Sequence, residues 1–323
     1  MFKFLVRRLL QMIATLWGGT TVLFFMFRFM PGDPTAFMLS PQMTRETKQR
    51  IIERWGLNEP LWQQYIGYIQ NVARLDFGQS FHSQQPVTDI IITFLPNTLI
   101  LMFVALILGY VFGISLGILA GWYRGTRFEN NIVISALLSQ SIPSFWIAVL
   151  VLWIFAFELN IIPATGVSSI GVEQTALIDL YLSWDFWRHL IAPASVLGFA
   201  YLGYPLLIMR NSMLEVLAED FIKMCKAKGL SEREIMFKHA ARNSFLPVLT
   251  VVAINIGYAV AGSVLIETVF GWPGIGRKMV NAVLFRDYPV AQGLFMMLAG
   301  VVIIMNFVAD IAYGYLDPRV RYD

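Results

Sequence analysis

The chain offers few side chains that could carry out a reaction, and their spacing excludes the commonest kinds of active site. The three histidines, His82, His189 and His239, are dispersed, so no metal-ligand cluster is visible. No G-x-x-x-x-G-K-S/T phosphate loop occurs, so the chain lacks the usual means of holding ATP. The glycines of residues 271–276 lack the spacing of a nucleotide loop and follow no predicted strand. We therefore predict no catalytic, metal-binding or cofactor-binding residue.

Segment 212–235 has the pattern of two short helices joined by a turn. Its first predicted helix ends with Lys226 and Lys228 near its negative end, and Gly229 follows as a left-handed cap residue. Ser231 begins a second helix, and Glu234 three residues later predicts a capping box. The sequence predicts two short amphipathic helices joined by a tight glycine turn. This geometry alone is equally compatible with an ordinary connector.

A second pattern is built from small residues. Four glycines, which we call the glycine stripe, recur at i,i+4 spacing at Gly109, Gly113, Gly117 and Gly121. Such a stripe lets another membrane helix approach closely. The pattern does not identify the partner helix, although we expect it within this chain.

The elements that must position these residues are membrane helices. Of the 323 residues, 57% are hydrophobic and only 14% are charged. The apolar residues form blocks long enough to span a bilayer, which needs about 20 residues. Continuous blocks predict helices, because a barrel would show short alternating segments. We predict an all-α membrane protein with six spans, at residues 9–27, 99–123, 132–157, 190–209, 245–266 and 290–309.

Charge predicts the orientation of these spans. Fourteen lysines and arginines fall in the segments predicted to lie inside, against four in the two shorter outside loops. Positive charge favours the cytoplasmic side, so both termini are predicted to be cytoplasmic. The net charge of +3 reflects this bias, and we expect no nucleic-acid partner. Arg28, Glu158, Glu267 and Asp310 lie near predicted span ends, where contact with the membrane interface is expected.

The outside loop at residues 31–96 is predicted to be structured. Residues 44–54 form one polar helical pattern, and Leu61, Tyr65, Tyr68 and Val72 form another. Long structured loops are usually functional, but a small cap over the helix ends is the equal alternative.

Several motifs in order along the chain carry a resemblance. They are Pro-Gly-Asp-Pro at 31–34, Asp-Phe-Gly-Gln-Ser at 76–80, Ser-Ile-Pro-Ser-Phe-Trp at 141–146, Ala-Lys-Gly-Leu-Ser at 227–231, His-Ala-Ala-Arg-Asn at 239–243, Leu-Pro at 246–247, Glu-Thr-Val-Phe-Gly-Trp-Pro-Gly-Ile-Gly-Arg at 267–277, Arg-Asp-Tyr-Pro at 286–289 and Asp-Pro-Arg at 317–319. As a set they resemble permease subunits of ABC importers, closest to the first permease of the dipeptide, oligopeptide and nickel branch. One departure is that Lys223, Met224 and Cys225 replace the Glu-Ala-Ala that opens the general importer signature; the peptide branch shares this feature.

The resemblance implies a type I ABC importer permease fold and a division of labour. Residues 1–95 would hold the first span and the long outside loop, residues 96–316 the transmembrane domain, and residues 317–323 a cytoplasmic tail. Loop 210–244 would be a coupling helix seated on a cytoplasmic ATPase. Its expected contact residues are Glu219, Asp220, Ala227, Lys228, Gly229, Leu230, Ser231, Glu234 and His239.

The implied partners are a second homologous permease, two ATPases that bind ATP and Mg²⁺, and an external substrate-binding protein. The implied setting is the bacterial inner membrane and its lipid, and the implied cargo is di- or oligopeptides. A secondary transporter of small solutes is the alternative, but it would need ionisable groups at mid-membrane depth or repeated halves. An intramembrane enzyme would need polar catalytic groups at depth. The sequence shows neither feature.

Overall fold

The computed structural model describes residues 2–29, 58–169, 177–245, 247–248 and 263–316, and these residues are predominantly helical. One isolated antiparallel bridge joins Gln79 and Pro86, and the described ranges contain no strand. In chain order the helices are α1 (Phe2–Arg28), α2 (Leu61–Ala73), α3 (Val87–Trp122), α4 (Arg127–Ser141), α5 (Ser144–Val151, continued by the π-helical segment Leu152–Glu158), α6 (Leu177–Leu182), α7 (Trp184–Leu217), α8 (Asp220–Ala227), α9 (Glu232–Glu234, continued by the π-helical segment Ile235–Ala241), α10 (Val264–Val269), α11 (Ile275–Leu284) and α12 (Tyr288–Leu316).

Four helices in the described ranges are long and apolar enough to cross a bilayer: Leu5–Arg28 within α1, all of α3, all of α7, and Tyr288–Val308 within α12. Helices α4 and α5 qualify as a fifth span when taken together. These helices coincide with five of the predicted blocks. The predicted block at 245–266 lies largely outside the described residues. The predicted polar helix at 44–54 lies wholly outside them.

The predicted span 132–157 is bent rather than straight. Helices α4 and α5 meet at 98° across the short break before Ser144. Ile142 has an extended backbone, with φ −85° and ψ 125°, which is the conformation that Pro143 imposes on the residue before it. Hydropathy misses the bend because it reports the apolar content of a segment and not its direction.

The glycine stripe of α3 faces α7 of the same chain. A Cβ added at Gly113 would lie 2.7 Å from the carbonyl oxygen of Leu202, and one at Gly117 would lie 2.6 Å from that of Leu206. The carbonyl groups that approach the stripe also recur every four residues, at Gly198, Leu202, Leu206 and Arg210. Residue numbers rise together on both helices, so α3 and α7 run parallel. Only hydrogen fits between the two backbones, as in other small-residue membrane packings.

Helix α7 has a second close neighbour in α4. A Cβ added at Gly203 would lie 2.5 Å from the carbonyl oxygen of Ala136. Helix α7 therefore lies between α3 and α4. In the bundle around α7, the backbones of α3 and α4 approach that of α7 closely at glycines. Apolar side chains fill the remaining space.

Helix α1 joins the structure through α12 rather than through α7. The Thr20 hydroxyl lies 3.3 Å from the sulfur of Met296, and the rings of Phe27 and Phe295 are 6.1 Å apart. The helical pattern predicted at Leu61–Val72 is confirmed as α2, which packs on α1.

Candidate functional site

The turn between α8 and α9 is a complete helix C-cap. Gly229 has a φ of +76°, and its N–H donates to the carbonyl of Lys226 at 3.0 Å. The N–H of Leu230 donates to the carbonyl of Cys225 at 3.3 Å. These two bonds together define a Schellman motif, which needs a left-handed residue at the glycine position. The direction in which the chain leaves α8 is therefore fixed by hydrogen bonds.

The predicted capping box at the start of α9 is only half formed. The Ser231 hydroxyl accepts a hydrogen bond from the N–H of Glu234 at 3.3 Å. The Glu234 carboxylate does not return to Ser231; it accepts a hydrogen bond from the Lys238 ammonium at 2.8 Å, one turn along the helix. This bond lowers the pKa of Glu234 and raises the pKa of Lys238. The correction arises because an i,i+4 cation is also within reach of this carboxylate.

We call α8, the glycine turn and α9 the α8–α9 hairpin. Its buried face was not predicted. Ile222, Cys225, Ile235 and Met236 are buried in one cluster with Ile118 of α3 and with Met209 and Met213 of α7. Ile222 and Cys225 are three residues apart, the helical spacing that could have identified them. The hairpin is therefore packed directly on the parallel pair α3–α7.

The predicted contact residues lie mostly on the other face of the hairpin. Six are exposed: Glu219, Asp220, Ala227, Lys228, Gly229 and Ser231. Leu230, Glu234 and His239 are partly buried. The exposed face also has two large apolar side chains that sequence reasoning missed, Met224 at 55% and Phe237 at 47% exposure. It therefore combines charged and apolar groups.

An ion pair between the partly exposed Arg210 and the buried Glu129 joins two helices at the same end of the bundle. The Arg210 Nε atom donates to the Glu129 carboxylate at 2.9 Å, and the N–H of Gly125 donates to the same carboxylate at 2.6 Å. Glu129 belongs to α4 and is only 4% exposed. The sequence predicts for Arg210 only a position on the cytoplasmic side and does not predict this ion pair. The pair ties α4 to α7 just before the chain enters the hairpin.

A second polar cluster on α3, in its N-terminal half, is organised around Glu267. This residue is fully buried, so the expected contact with the membrane interface is wrong. Its carboxylate accepts hydrogen bonds from the Thr98 hydroxyl at 2.7 Å and from the N–H of Arg277 at 2.9 Å. Those donors compensate for the desolvation of a buried carboxylate. We call Glu267 and these partners the Glu267 cluster.

Two glycines of the 271–276 loop, Gly274 and Gly276, leave room for this carboxylate. A Cβ added at Gly274 would lie 2.5 Å from the Glu267 Cδ, and one at Gly276 would lie 2.9 Å from Oε2. Trp272 of the same loop is fully buried and donates its indole N–H to the carbonyl of Asn97 at 3.1 Å.

Two of the sequence motifs meet at the start of α3. The Asp287 carboxylate accepts hydrogen bonds from the Ser80 hydroxyl at 2.5 Å and from the N–H of Phe81 at 3.1 Å. The segment before α3 is thereby fastened to the turn before α12. Gly293 of α12 lies against Phe77 and Val87, where an added Cβ would approach to 2.9 and 2.6 Å.

The hairpin and the Glu267 cluster are separated by one membrane thickness. Thr98 contacts the Glu267 cluster, and Ile118 contacts the hairpin. The two residues are 20 positions apart on one continuous helix, or about 30 Å at 1.5 Å per residue. A hydrocarbon core is also about 30 Å thick. The arrangement can therefore connect the two sides of a bilayer.

Comparison with known proteins agrees with this architecture. Residues 113–322 match the family described as binding-protein-dependent transport system inner membrane component, and residues 1–102 match its N-terminal region. The chain is 38% identical to the di/tripeptide transport system permease protein DppB of Pseudomonas aeruginosa, over 100% of this chain and 99% of the relative. It is 34% identical to the oligopeptide transport system permease protein AppB of Bacillus subtilis, over 100% of both chains. It is 36% identical to the dipeptide permease DppB of Escherichia coli K12, over 100% of this chain and 99% of the relative. This protein belongs to the family of binding-protein-dependent transport system inner membrane components.

Proposed function

We propose that this chain is a permease subunit of an ABC importer and forms half of a translocation path for di- or oligopeptides. The observation that carries the proposal is the α8–α9 hairpin, which presents an exposed face while its buried face is packed on two membrane helices. The peptide cargo is supported by the names of the full-length relatives. In this arrangement ATP and Mg²⁺ are bound by two separate ATPase subunits, and a second permease completes the path.

The proposed topology has six spans with both termini in the cytoplasm. Five spans are α1, α3, the bent pair α4–α5, α7 and α12, and the sixth is residues 245–266. This topology puts the hairpin in the cytoplasm and the Glu267 cluster outside. The division into residues 1–95, 96–316 and 317–323 is proposed as a division of roles. It is not a division into separately folded domains, because α3 is continuous across residues 95 and 96.

The hairpin is proposed to convert ATPase closure into helix movement. An ATPase that grips the exposed face, including Glu219, Asp220 and the residues from Ala227 to Ser231, displaces the whole hairpin. Its buried face then moves α3 and α7 together, because backbone contact along the glycine stripe leaves no freedom to slide. The far end of α3 carries this motion to the Glu267 cluster, where the path opens to the outside.

The buried carboxylates favour the importer over a secondary transporter. In the described ranges they are Glu129, Glu267 and Asp287. Each is held by hydrogen bonds near the end of a helix, whereas ion coupling needs titratable groups near the membrane midplane. None of the three offers such a group.

Transport in proteoliposomes tests the proposal. The chain would be co-purified with its permease and ATPase partners, and uptake of a labelled dipeptide measured with the external binding protein. We expect uptake that requires ATP inside and the loaded binding protein outside, while the isolated chain neither binds nor hydrolyses ATP. Uptake by the isolated chain driven by an ion gradient would overturn the proposal in favour of the secondary transporter.

A further inference from the structure

Helix α2 is uncharged and is fastened to a membrane span. Its sequence, LWQQYIGYIQNVA, contains no acidic or basic residue. The Tyr65 hydroxyl lies 2.7 Å from the Thr21 hydroxyl of α1. The rings of Tyr65 and Tyr68 lie 5.3 and 5.5 Å from the ring of Phe24, which is buried. One face of α2 is therefore packed on the candidate span Leu5–Arg28.

This contact lies at membrane depth. The candidate span has 24 residues, or about 36 Å, which exceeds the hydrocarbon core of about 30 Å by a few ångströms at each end. Thr21 is two helical turns before Arg28, or about 10 Å along the helix axis. A hydrocarbon core of that thickness centred on the candidate span would therefore include the Tyr65 hydroxyl.

The face of α2 beside the contact is apolar and exposed. Trp62 and Ile66 are 61% and 47% exposed. At about 100° per residue, Trp62 lies about 60° and Ile66 about 100° from Tyr65 around the helix axis, whereas Gln63 and Gln70 lie about 140–160° from it, opposite the contact. The helix therefore has a lateral apolar face and a glutamine face.

The exposed apolar face continues on α1. The Tyr65 ring stacks on Phe25 with centroids 6.2 Å apart, and Phe25 stacks on Phe29 at 5.5 Å. Phe25 and Phe29 are 39% and 67% exposed. Apolar rings exposed on a membrane span favour contact with lipid, and a surface continuous with them favours the same contact.

We infer that α2 is an interfacial helix whose partner is the lipid bilayer. Trp62 and Ile66 point into the boundary between headgroups and acyl chains, and the glutamines point to water. Tryptophan favours this zone, and interfacial helices typically bury their apolar face by about 5–10 Å. That the leaflet is the outer one rests on the topology proposed above; the lipid contact does not. Any contact of loop 31–96 with a delivery protein then falls to its other residues.

Spin labels placed around α2 test the inference. In a Cys225→Ser background, single cysteines would replace Trp62 and Ile66 on the apolar face, and Gln63 and Gln70 as matched controls on the same helix. The labelled full-length chain, with its copurifying subunits, would be placed in lipid nanodiscs. Collision of each label with oxygen, which partitions into lipid, would be compared with collision with a water-soluble nickel complex.

We expect an oxygen-to-nickel ratio several-fold higher at positions 62 and 66 than at 63 and 70. Equal ratios at all four positions would overturn the inference. So would labels at 62 and 66 that are accessible to nickel until loaded binding protein is added, because that result identifies a protein-docking face. Labelling of intact cells with an impermeant maleimide tests the membrane orientation independently of the lipid contact. The cysteine of Gln70→Cys should react, and that of Glu232→Cys should not. The reverse result would overturn the proposed orientation while leaving the lipid contact in place.

Discussion

Gly229 and Gly274 are both required by the structure, but for different physical reasons. At Gly229 the constraint is the backbone, whose φ is +76°, and no described atom lies within 4 Å of an added Cβ. At Gly274 the constraint is space, because an added Cβ would lie 2.5 Å from the Glu267 carboxyl carbon. Substitutions at the two sites should therefore follow different rules: one depends on backbone preference, and the other on side-chain size.

Gly229→Val should uncouple the permease from its ATPases. A non-glycine residue in the left-handed region costs roughly 1–2 kcal/mol, and a β-branched residue is among the worst. Gly229→Asn is the matched control, because asparagine tolerates this conformation and open space surrounds the site. We expect the valine variant to insert at normal abundance but to lose uptake and stimulated ATP hydrolysis. Full transport by the valine variant would make the hairpin a plain connector.

Glu267→Ala should destabilise the protein. The substitution leaves the Thr98 hydroxyl and the N–H of Arg277 without their acceptor, at about 1–3 kcal/mol for each buried group left unpaired. Glu215→Ala, at an exposed glutamate of α7, is the control. Thermal unfolding of the purified proteins in detergent measures the difference. Equal melting temperatures for the two variants would show that the cluster contributes nothing to stability.

At the scale of helices, close backbone approach determines which elements move together. Helices α3 and α7 meet along four glycines, whereas α1 reaches the rest of the structure mainly through side chains of α12. Backbone approach tolerates no insertion of atoms, while side-chain contacts can rearrange. The pair α3–α7 is therefore the rigid element of the structure.

Gly117→Ala should separate this pair. The new methyl group would lie 2.6 Å from the Leu206 carbonyl oxygen and 2.8 Å from the Met209 Cβ, so the helices must shift. Overpacking of this kind typically costs about 1–3 kcal/mol. Gly18→Ala in α1 is the matched control, because no described atom lies within 4 Å of its added Cβ. Denaturation in mixed micelles should show a lower free energy of unfolding for Gly117→Ala and an unchanged one for Gly18→Ala.

Hydropathy and spacing predicted most of the helices because both signals are local. Helices α1, α3, α7 and α12 follow from apolar blocks, and α2 follows from its helical period. Glu267 was misplaced because its burial depends on Thr98, which is 169 residues away in the sequence. The capping box was misjudged because Ser231 and Lys238 compete for one carboxylate. Long-range partners and competing local partners are what a single sequence leaves open.

At the scale of the whole molecule, the α3–α7 pair is a rigid centre that connects the α8–α9 hairpin with the Glu267 cluster. The α8–α9 hairpin is fixed to the α3–α7 pair at one end, and the Glu267 cluster is fixed to α3 at the other. The Ser80–Asp287 contact adds α12 to that second end. A movement at the hairpin can therefore reach the opposite side without passing through a flexible connection.

Replacing residues 36–55 with a glycine–serine linker of equal length should impair delivery of substrate. The replacement leaves α2 and the Ser80–Asp287 contact in place, so the membrane part should still assemble with its ATPases. We expect ATP hydrolysis that loaded binding protein no longer stimulates. The substitution Asn130→Ala, at an exposed residue of α4, provides a control on the other side of the membrane. Normal uptake with the linker variant would show that this part of loop 31–96 only covers the helix ends.

The parallel contact of α3 with α7 has a consequence for biosynthesis. The ribosome completes α3 at Trp122 and does not begin α7 until Trp184. At a synthesis rate of about 5–20 residues per second, roughly 3–12 seconds pass between the completion of the glycine stripe on α3 and the start of α7. During that interval the nascent chain presents a helix-binding groove to every small-residue helix near the translocon. The glycine stripe therefore lacks its partner in the finished structure until α7 has been made.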